Sequence, residues 1–333
     1  MSEIPAGAMR FNSDSQKLEY WNGSAWFQVH TAAVGIATAG DRQPGARGVW
    51  AGGSPTTGGD TVEYVNISST GDALDFGNLN TNKKYNSGFS SSTRGISGGG
   101  ELAGTGNLDR IEFITISSTG TVSYFGDLGT TRTYVSGCSN ETRGLFGGGK
   151  QPGFTNEIEY VTNASTGDAV DFGTLTQTRS NIMASSNSIR GIFGGGYTPT
   201  RQNTIDFVTI ATLGSAQDFG DLTLARNGSN AASSKTRCVF FASDASPYTT
   251  IDFINYSTLG NAVKFGDATG IKGYSASTSN CIRGVSGGGQ TPSSTNAIEY
   301  VIISTQSNSV DFGDLTTNQH LSGACFSNAH GGL

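Results

Sequence analysis

The groups with which this chain could do chemistry come in sets of six. Carboxylates stand at Glu63, Glu112, Glu159, Asp206, Asp252 and Glu299, each followed by Tyr or Phe. An arginine opens a short apolar run at Arg47, Arg94, Arg143, Arg190, Arg237 and Arg283. A second basic series reads Lys83, Arg132, Arg179, Arg226 and Lys272, with Gln319 in the last place. Two carboxylates are enough for glycoside hydrolysis. Carboxylates that return at one position of every copy, however, belong to the architecture and are poor candidates for a single active site. Histidine, the usual general base and metal ligand, occurs only as His30, His320 and His330. No Gly-x-Ser-x-Gly elbow sits between a strand and a helix. Cys138, Cys238, Cys281 and Cys325 are far apart and form no CxxC, so they read as small strand residues in a reducing cytoplasm rather than a zinc site or disulfide framework. The expectation is a non-enzymatic chain with no metal and no cofactor.

The elements that carry these groups follow from the spacing. Phe-Gly recurs at Phe76, Phe125, Phe172, Phe219, Phe265 and Phe312, in step with the arginines and acids and at intervals of about 47 residues. A period of that length with several short β segments predicts propeller blades. With 49 Gly and 14% charged residues the chain resembles low-complexity sequence, but a disordered chain has no reason to return aromatic residues on schedule. In the fourth copy, residues 180–185, 190–193, 204–210 and 216–222 read as four strands, the third rich in β-branched and aromatic residues. The six Phe are expected to pack between sheets, each burial contributing about 1.5–3 kcal/mol. The predicted fold is therefore all-β: a six-bladed propeller of four-stranded antiparallel blades over residues 32–333, preceded by a small β module over 1–31.

Antiparallel order places the Arg47 series on one face and the Lys83 series on the other. Local surface pairing is expected for both, with Asp127, Asp221 and Asp314 near the second series, at about 0–1 kcal/mol per pair. A charged rim for an anionic polymer is the alternative. One face keeps nearly the same Ser-Ser-Thr-Gly turn, whereas the connections between second and third strands are individual. Specificity lives in individual loops on a rigid scaffold, which makes Lys150, Phe154, Tyr197, Arg201 and Tyr248 the candidate contacts. After the sixth Phe-Gly one surplus strand remains, residues 321–327, and it most simply completes the first blade; residues 33–39 are the alternative. A net charge of −6 argues against a nucleic-acid surface, and no apolar stretch is long enough to span a bilayer. Residues 1–5 lack the basic and apolar runs of a signal peptide, so the sequons carry no weight.

The basic residue opening the first strand, the glycines closing the second (Gly52-Gly53, Gly98 to Gly100, Gly147 to Gly149, Gly194 to Gly196, Gly287 to Gly289) and the acid–aromatic pair of the third resemble the kelch repeat. The fifth copy departs with Phe241-Ala242-Ser243, and Phe-Gly replaces the kelch tryptophan. The first residues differ: Arg10-Phe11-Asn12, Leu18-Glu19-Tyr20, Asn22-Gly23 and Trp26 look like a small module of bacteriophage tail-fibre and other virion proteins, and the Phe-Gly-Asp-Leu blade endings also resemble phage structural proteins. The resemblance implies a structural or attachment component of a virion, assembled in the host cytoplasm. Its implied partners are other virion proteins, a host surface glycan or receptor, or further copies of the chain. A glycan-binding lectin and a polysaccharide depolymerase are the alternatives. Phe11, Tyr20, Trp21, Trp26 and Phe27 crowd a module too small to be stable alone, which makes them the expected attachment residues.

Overall fold

The computed structural model describes residues 5, 7–12, 17–28, 46–53, 59–102, 105–120, 122–228, 230–241, 249–270, 272–290, 293–317 and 323–333, and no helix occurs among them. The chain divides into two units, residues 1–41 and 42–333. The expected boundary at residue 31 and the candidate strand at residues 33–39 lie outside the described residues.

The first unit holds a three-stranded antiparallel sheet of Met9–Asn12, Lys17–Trp21 and Trp26–Gln28. Its register aligns Met9 with Tyr20 and Tyr20 with Phe27, so these side chains share one face. Arg10 and Glu19 pair on the other face at 2.9 Å, with the Arg10 guanidinium 4.2 Å from the Trp26 ring centre. Asn22 caps the turn between the last two strands, accepting from the Ser24 and Ala25 amides.

The second unit contains six four-stranded antiparallel sheets, one per copy. In the fourth copy the strands are Met183–Ser186, Arg190–Gly194, Thr204–Thr209 and Gln217–Asp221. The first begins later than the sequence suggests. Ser180 bridges to Tyr197, and Asn181 turns into the left-handed region with φ of 52°. The sheet of the first copy draws its first strand from the far end of the chain: Ala324–Ser327 pairs with Arg47–Ala51. The local cap is reconstituted as well. Asn140, Asn187 and Asn280 each accept from the amide of the arginine three residues on, and Asn328 does so for Arg47 across 281 residues of sequence. First strands of successive copies lie side by side, and Ala324–Ser327 lies beside both Ser87–Ser90 and Ala276–Ser279.

Phe-Gly turns out to be a bulge. In each third-to-fourth strand pair the register slips by one residue, as where Ile205 faces Gly220 and Asp206 faces Asp218, leaving Phe219 as the extra residue. The bulge tips the six Phe inward, where all are at most 3% exposed. Each meets the aromatic of its acid–aromatic pair edge-on; Phe207 and Phe219 have ring centres 5.9 Å apart. The glycine has a separate duty. A Cβ on Gly220, whose φ is +145°, would lie 2.5 Å from the backbone of Gly260 in the next sheet. The Gly260 amide donates to the Phe219 carbonyl at 2.8 Å. Only glycine lets the neighbouring turn approach that closely.

Six apolar clusters form the core, each drawing on two consecutive copies. One of them joins Trp50, Val65 and Cys325 of the first copy to Ala276, Val285 and Phe312 of the last. No sheet buries its faces alone. Stability therefore accrues between neighbours, as in repeat arrays generally.

Candidate functional site

The two basic series do not form surface rims, which corrects the expectation of weak exposed pairing. The Lys83 series is buried, and its partners are the acids of the acid–aromatic pairs. Lys83 meets Glu112 at 2.9 Å, Arg179 meets Asp206 at 2.7 Å and Arg226 meets Asp252 at 3.1 Å, all with fully buried side chains. Arg132 pairs with Glu159, and Lys272 with Glu299 at 3.9 Å. Burial pulls Lys83, Arg179, Arg226 and Lys272 below their ordinary pKa, opposed by the facing carboxylate. Several of these acids also bind the preceding copy: Thr176 donates its amide and hydroxyl to Asp206 at 3.0 and 2.7 Å, and Thr223 does the same for Asp252. For Glu63 the donors are Thr316 and Thr317 of the last copy. Gln319 lies outside the described residues. The signal was present in the sequence, since a basic series and an acid series of equal period invite pairing, but the partner lies 26–29 residues downstream of each base rather than beside it.

The Arg47 series links sheets too. Each guanidinium lies over the aromatic of its own copy, 4.5 Å from the Tyr160 ring centre for Arg143, and donates to a carbonyl of the next copy. Arg143 reaches Ile210 at 2.8 Å, Arg237 reaches Ile303 at 3.1 Å, and Arg283 of the last copy reaches Ile67 of the first at 3.2 Å. The recurrent charges are consumed by the scaffold.

What remains individual is one end of the sheets, called here the loop face. Lys150–Gln151 with Gly153–Phe154, and Tyr197–Thr198 with Thr200–Arg201, form two small hairpins there. They bring two candidate residues together: Phe154 and Tyr197 meet edge-on with ring centres 5.8 Å apart. Lys150, paired with Phe154, and Arg201, paired with Tyr197, are exposed at the open ends of these hairpins. The Lys150 backbone is tied to Thr133 and to the Asn107 side chain of the preceding copy. Tyr248 lies outside the described residues.

Sequence reading missed the residues nearest the first strands on this face. Tyr85, Tyr134, Asn181, Gly228 and Tyr274 all have left-handed φ, between 52° and 74°. After Tyr85, each amide donates to the carbonyl of the preceding member, from Tyr134 to Tyr85 at 3.0 Å and from Asn181 to Tyr134 at 3.2 Å. Left-handed backbone at a tyrosine costs about 1–2 kcal/mol, so the surroundings must enforce it. Tyr85 and Tyr134 pack with ring centres 4.1 Å apart and planes tilted by 32°. Burial, followed by the hydrogen bond with Tyr85, pushes the Tyr134 hydroxyl well above its usual pKa. A position that accepts Tyr, Asn and Gly two residues after a buried base was the available signal.

At the opposite end of the first strands, serines repeat. Ser139 donates its hydroxyl to the Ser90 carbonyl at 2.7 Å and Ser186 to the Ser139 carbonyl at 2.6 Å. His330 sits over them. Its Nε2 lies 2.8 Å from the Ser90 carbonyl, which can only accept, and its Nδ1 accepts from the Gly332 amide at 3.1 Å. Both nitrogens of a neutral imidazole are thus engaged. The cavity at this point is about 40 Å³, room for water molecules only, and no carboxylate lines it among the described residues. Ser139 and His330 are therefore not arranged as an activated nucleophile. Burial pushes the thiols of Cys138, Cys238 and Cys325 upward, which keeps them protonated.

The aromatic residues of the first unit pair within its sheet. Tyr20 stacks on Phe27 at 5.8 Å and Trp21 packs against Trp26 at 5.5 Å. Met9 and Phe11 stay exposed, at 60% and 66%. No protein-family model matches this chain, and no curated protein matches it either.

Proposed function

We propose that this chain is a non-catalytic scaffold protein of a bacteriophage particle, a tail-fibre, tail-tip or other peripheral component. In this reading its six sheets are the blades of a six-bladed kelch-like β-propeller, with Ala324–Ser327 joining the last blade to the first. The observation that carries the non-catalytic part is the use of the repeated acids and bases in links within and between copies. Groups locked into buried pairs are not free to exchange protons with a substrate. The virion setting rests on the resemblance of the first residues and of the blade endings. An apolar face on the first unit, with Met9, Phe11, Tyr20 and Phe27 all exposed, supports an attachment role for that module.

Host recognition through the loop face is the second reading, favoured by the Phe154–Tyr197 contact between two individual hairpins flanked by Lys150 and Arg201. Peptide mapping of purified particles tests the setting, and absence of the chain from particles defeats it. A glycan array followed by a reducing-end assay on host polysaccharide separates the roles. No binding supports the structural role, binding without cleavage supports a lectin, and cleavage overturns the non-catalytic reading.

A further inference from the structure

The six residues after Ala324–Ser327 depart from the pattern of the copies. Elsewhere an arginine stands four residues after the serine that closes the first strand: Ser90 leads to Arg94, Ser139 to Arg143, Ser186 to Arg190, Ser233 to Arg237 and Ser279 to Arg283. After Ser327 that place holds Gly331. In the other copies the arginine opens the second strand. For the first copy that strand is Arg47–Ala51, so residues 328–333 have no strand to begin, and they turn instead.

The segment crosses the serine ends of the first strands. The Cys281 thiol of the sixth copy donates to the Ala329 carbonyl at 3.3 Å. His330 Nε2 lies 2.8 Å from the Ser90 carbonyl of the second copy and 3.4 Å from the Ser139 hydroxyl of the third. Gly331 lies against Ser233 and Ser234 of the fifth copy, and Gly332 against Ser139. A Cβ on either glycine would collide with a backbone carbonyl, that of Ser234 or of Ser139. Neither has a left-handed φ, so glycine is needed there for space and not for backbone freedom. Bonds within the segment fix its shape: the Ala329 amide donates to the Ser327 hydroxyl, the Gly332 amide to His330 Nδ1 and the Leu333 amide to the His330 carbonyl, each at 3.1 Å. Ala329 and Leu333 are 2% and 8% exposed.

We propose that residues 328–333 are a clasp, which bridges copies across the ends of their first strands and must unseat before those copies can part. Each apolar cluster joins two consecutive copies. This segment instead extends from the sheet of the first copy and touches the second, third, fifth and sixth. In an array held together neighbour by neighbour, opening at one junction is the least costly way to begin unfolding. A bridge over several junctions raises the barrier to that opening. The assignment is independent of the virion setting.

The test is amide hydrogen exchange of the full chain together with its unfolding rate in urea. Gly332→Ala sets a methyl group against the Ser139 carbonyl, and His330→Ala removes the bonds to Ser90 and Gly332. Gly270→Ala is the control, because a Cβ there meets nothing within 4 Å. In the parent the Gly332 and Leu333 amides are expected to exchange slowly. Gly332→Ala and His330→Ala should each quicken that exchange and raise the unfolding rate about tenfold, and Gly270→Ala should change neither. Deleting residues 330–333, which spares Ala324–Ser327, should raise the unfolding rate as much as Gly332→Ala does. Three results overturn the proposal. Fast exchange of the segment in the parent shows that it is not seated. A segment loosened in either variant with no change in unfolding rate shows that it holds nothing together. Unfolding of the deletion variant at the parent rate shows that Gly332→Ala acts by its clash alone.

Discussion

Removing one member of a buried pair should cost far more than removing both, and Lys83–Glu112 is the pair that tests this most cleanly. Both side chains are fully buried at 2.9 Å. The nearby Arg110, 3.2 Å from Glu112, is 37% exposed and can return to water. Lys83→Met leaves a buried carboxylate with no cation of its own depth, at an expected cost of about 3–5 kcal/mol. Lys83→Met with Glu112→Leu replaces both charges by packing and is expected to fall within about 1 kcal/mol of the parent or to exceed its stability. Equilibrium urea denaturation of the three proteins closes the cycle. A pH series adds an independent reading. Burial lowers the pKa of Lys83 in the folded chain, so between that value and about 10.4 the unfolded chain holds more protons. This lysine's contribution to stability consequently rises as pH climbs through that window, and the slope should vanish in the double variant. A single variant that loses under about 1 kcal/mol would refute the reasoning, because an exposed pair behaves that way and a desolvated one does not.

Other expectations follow from the same geometry. Gly220→Ala places a Cβ 2.5 Å from Gly260 at a φ of +145°; a loss of about 1–3 kcal/mol is expected by thermal or urea unfolding, and none would mean the neighbouring turn can retreat. Asn181→Gly should be neutral or gain up to about 1 kcal/mol, whereas Asn181→Val should lose about 1–2 kcal/mol, given the left-handed φ of 52°. Deleting residues 323–333 strips Ala324–Ser327 from the edge of Arg47–Ala51, so the shortened chain should unfold at a markedly lower temperature; a synthetic peptide of those residues should restore part of the loss. Unfolding of the deletion variant at the parent temperature would show that the terminal strand contributes little.

The period and the alternation of apolar residues were enough to read an all-β chain in copies of four strands, because strand formation depends on local spacing that every copy repeats. The inward Phe of Phe-Gly was legible for the same reason, though not the bulge that turns it inward, since a register slip depends on the partner strand. For the strand that completes the first copy, spacing favours residues 321–327 over residues 33–39 only by a surplus in the count; pairing of Ala324–Ser327 with Arg47–Ala51 is a contact between distant segments, and nothing local to either dictates it. Of the candidate contacts, Phe154 and Tyr197 could be named from variability, but their meeting depends on two hairpins from adjacent sheets lying side by side. The partners of the buried charges are the least local feature of the fold. Arg179 seeks no neighbour in sequence; its partner Asp206 comes from the third strand of the same sheet, and Thr176, which completes that acid's bonds, comes from the sheet before. Local sequence sets which residues form strands, but a charge can be buried only where packed sheets exclude water and supply an opposite charge, and only the tertiary arrangement does both.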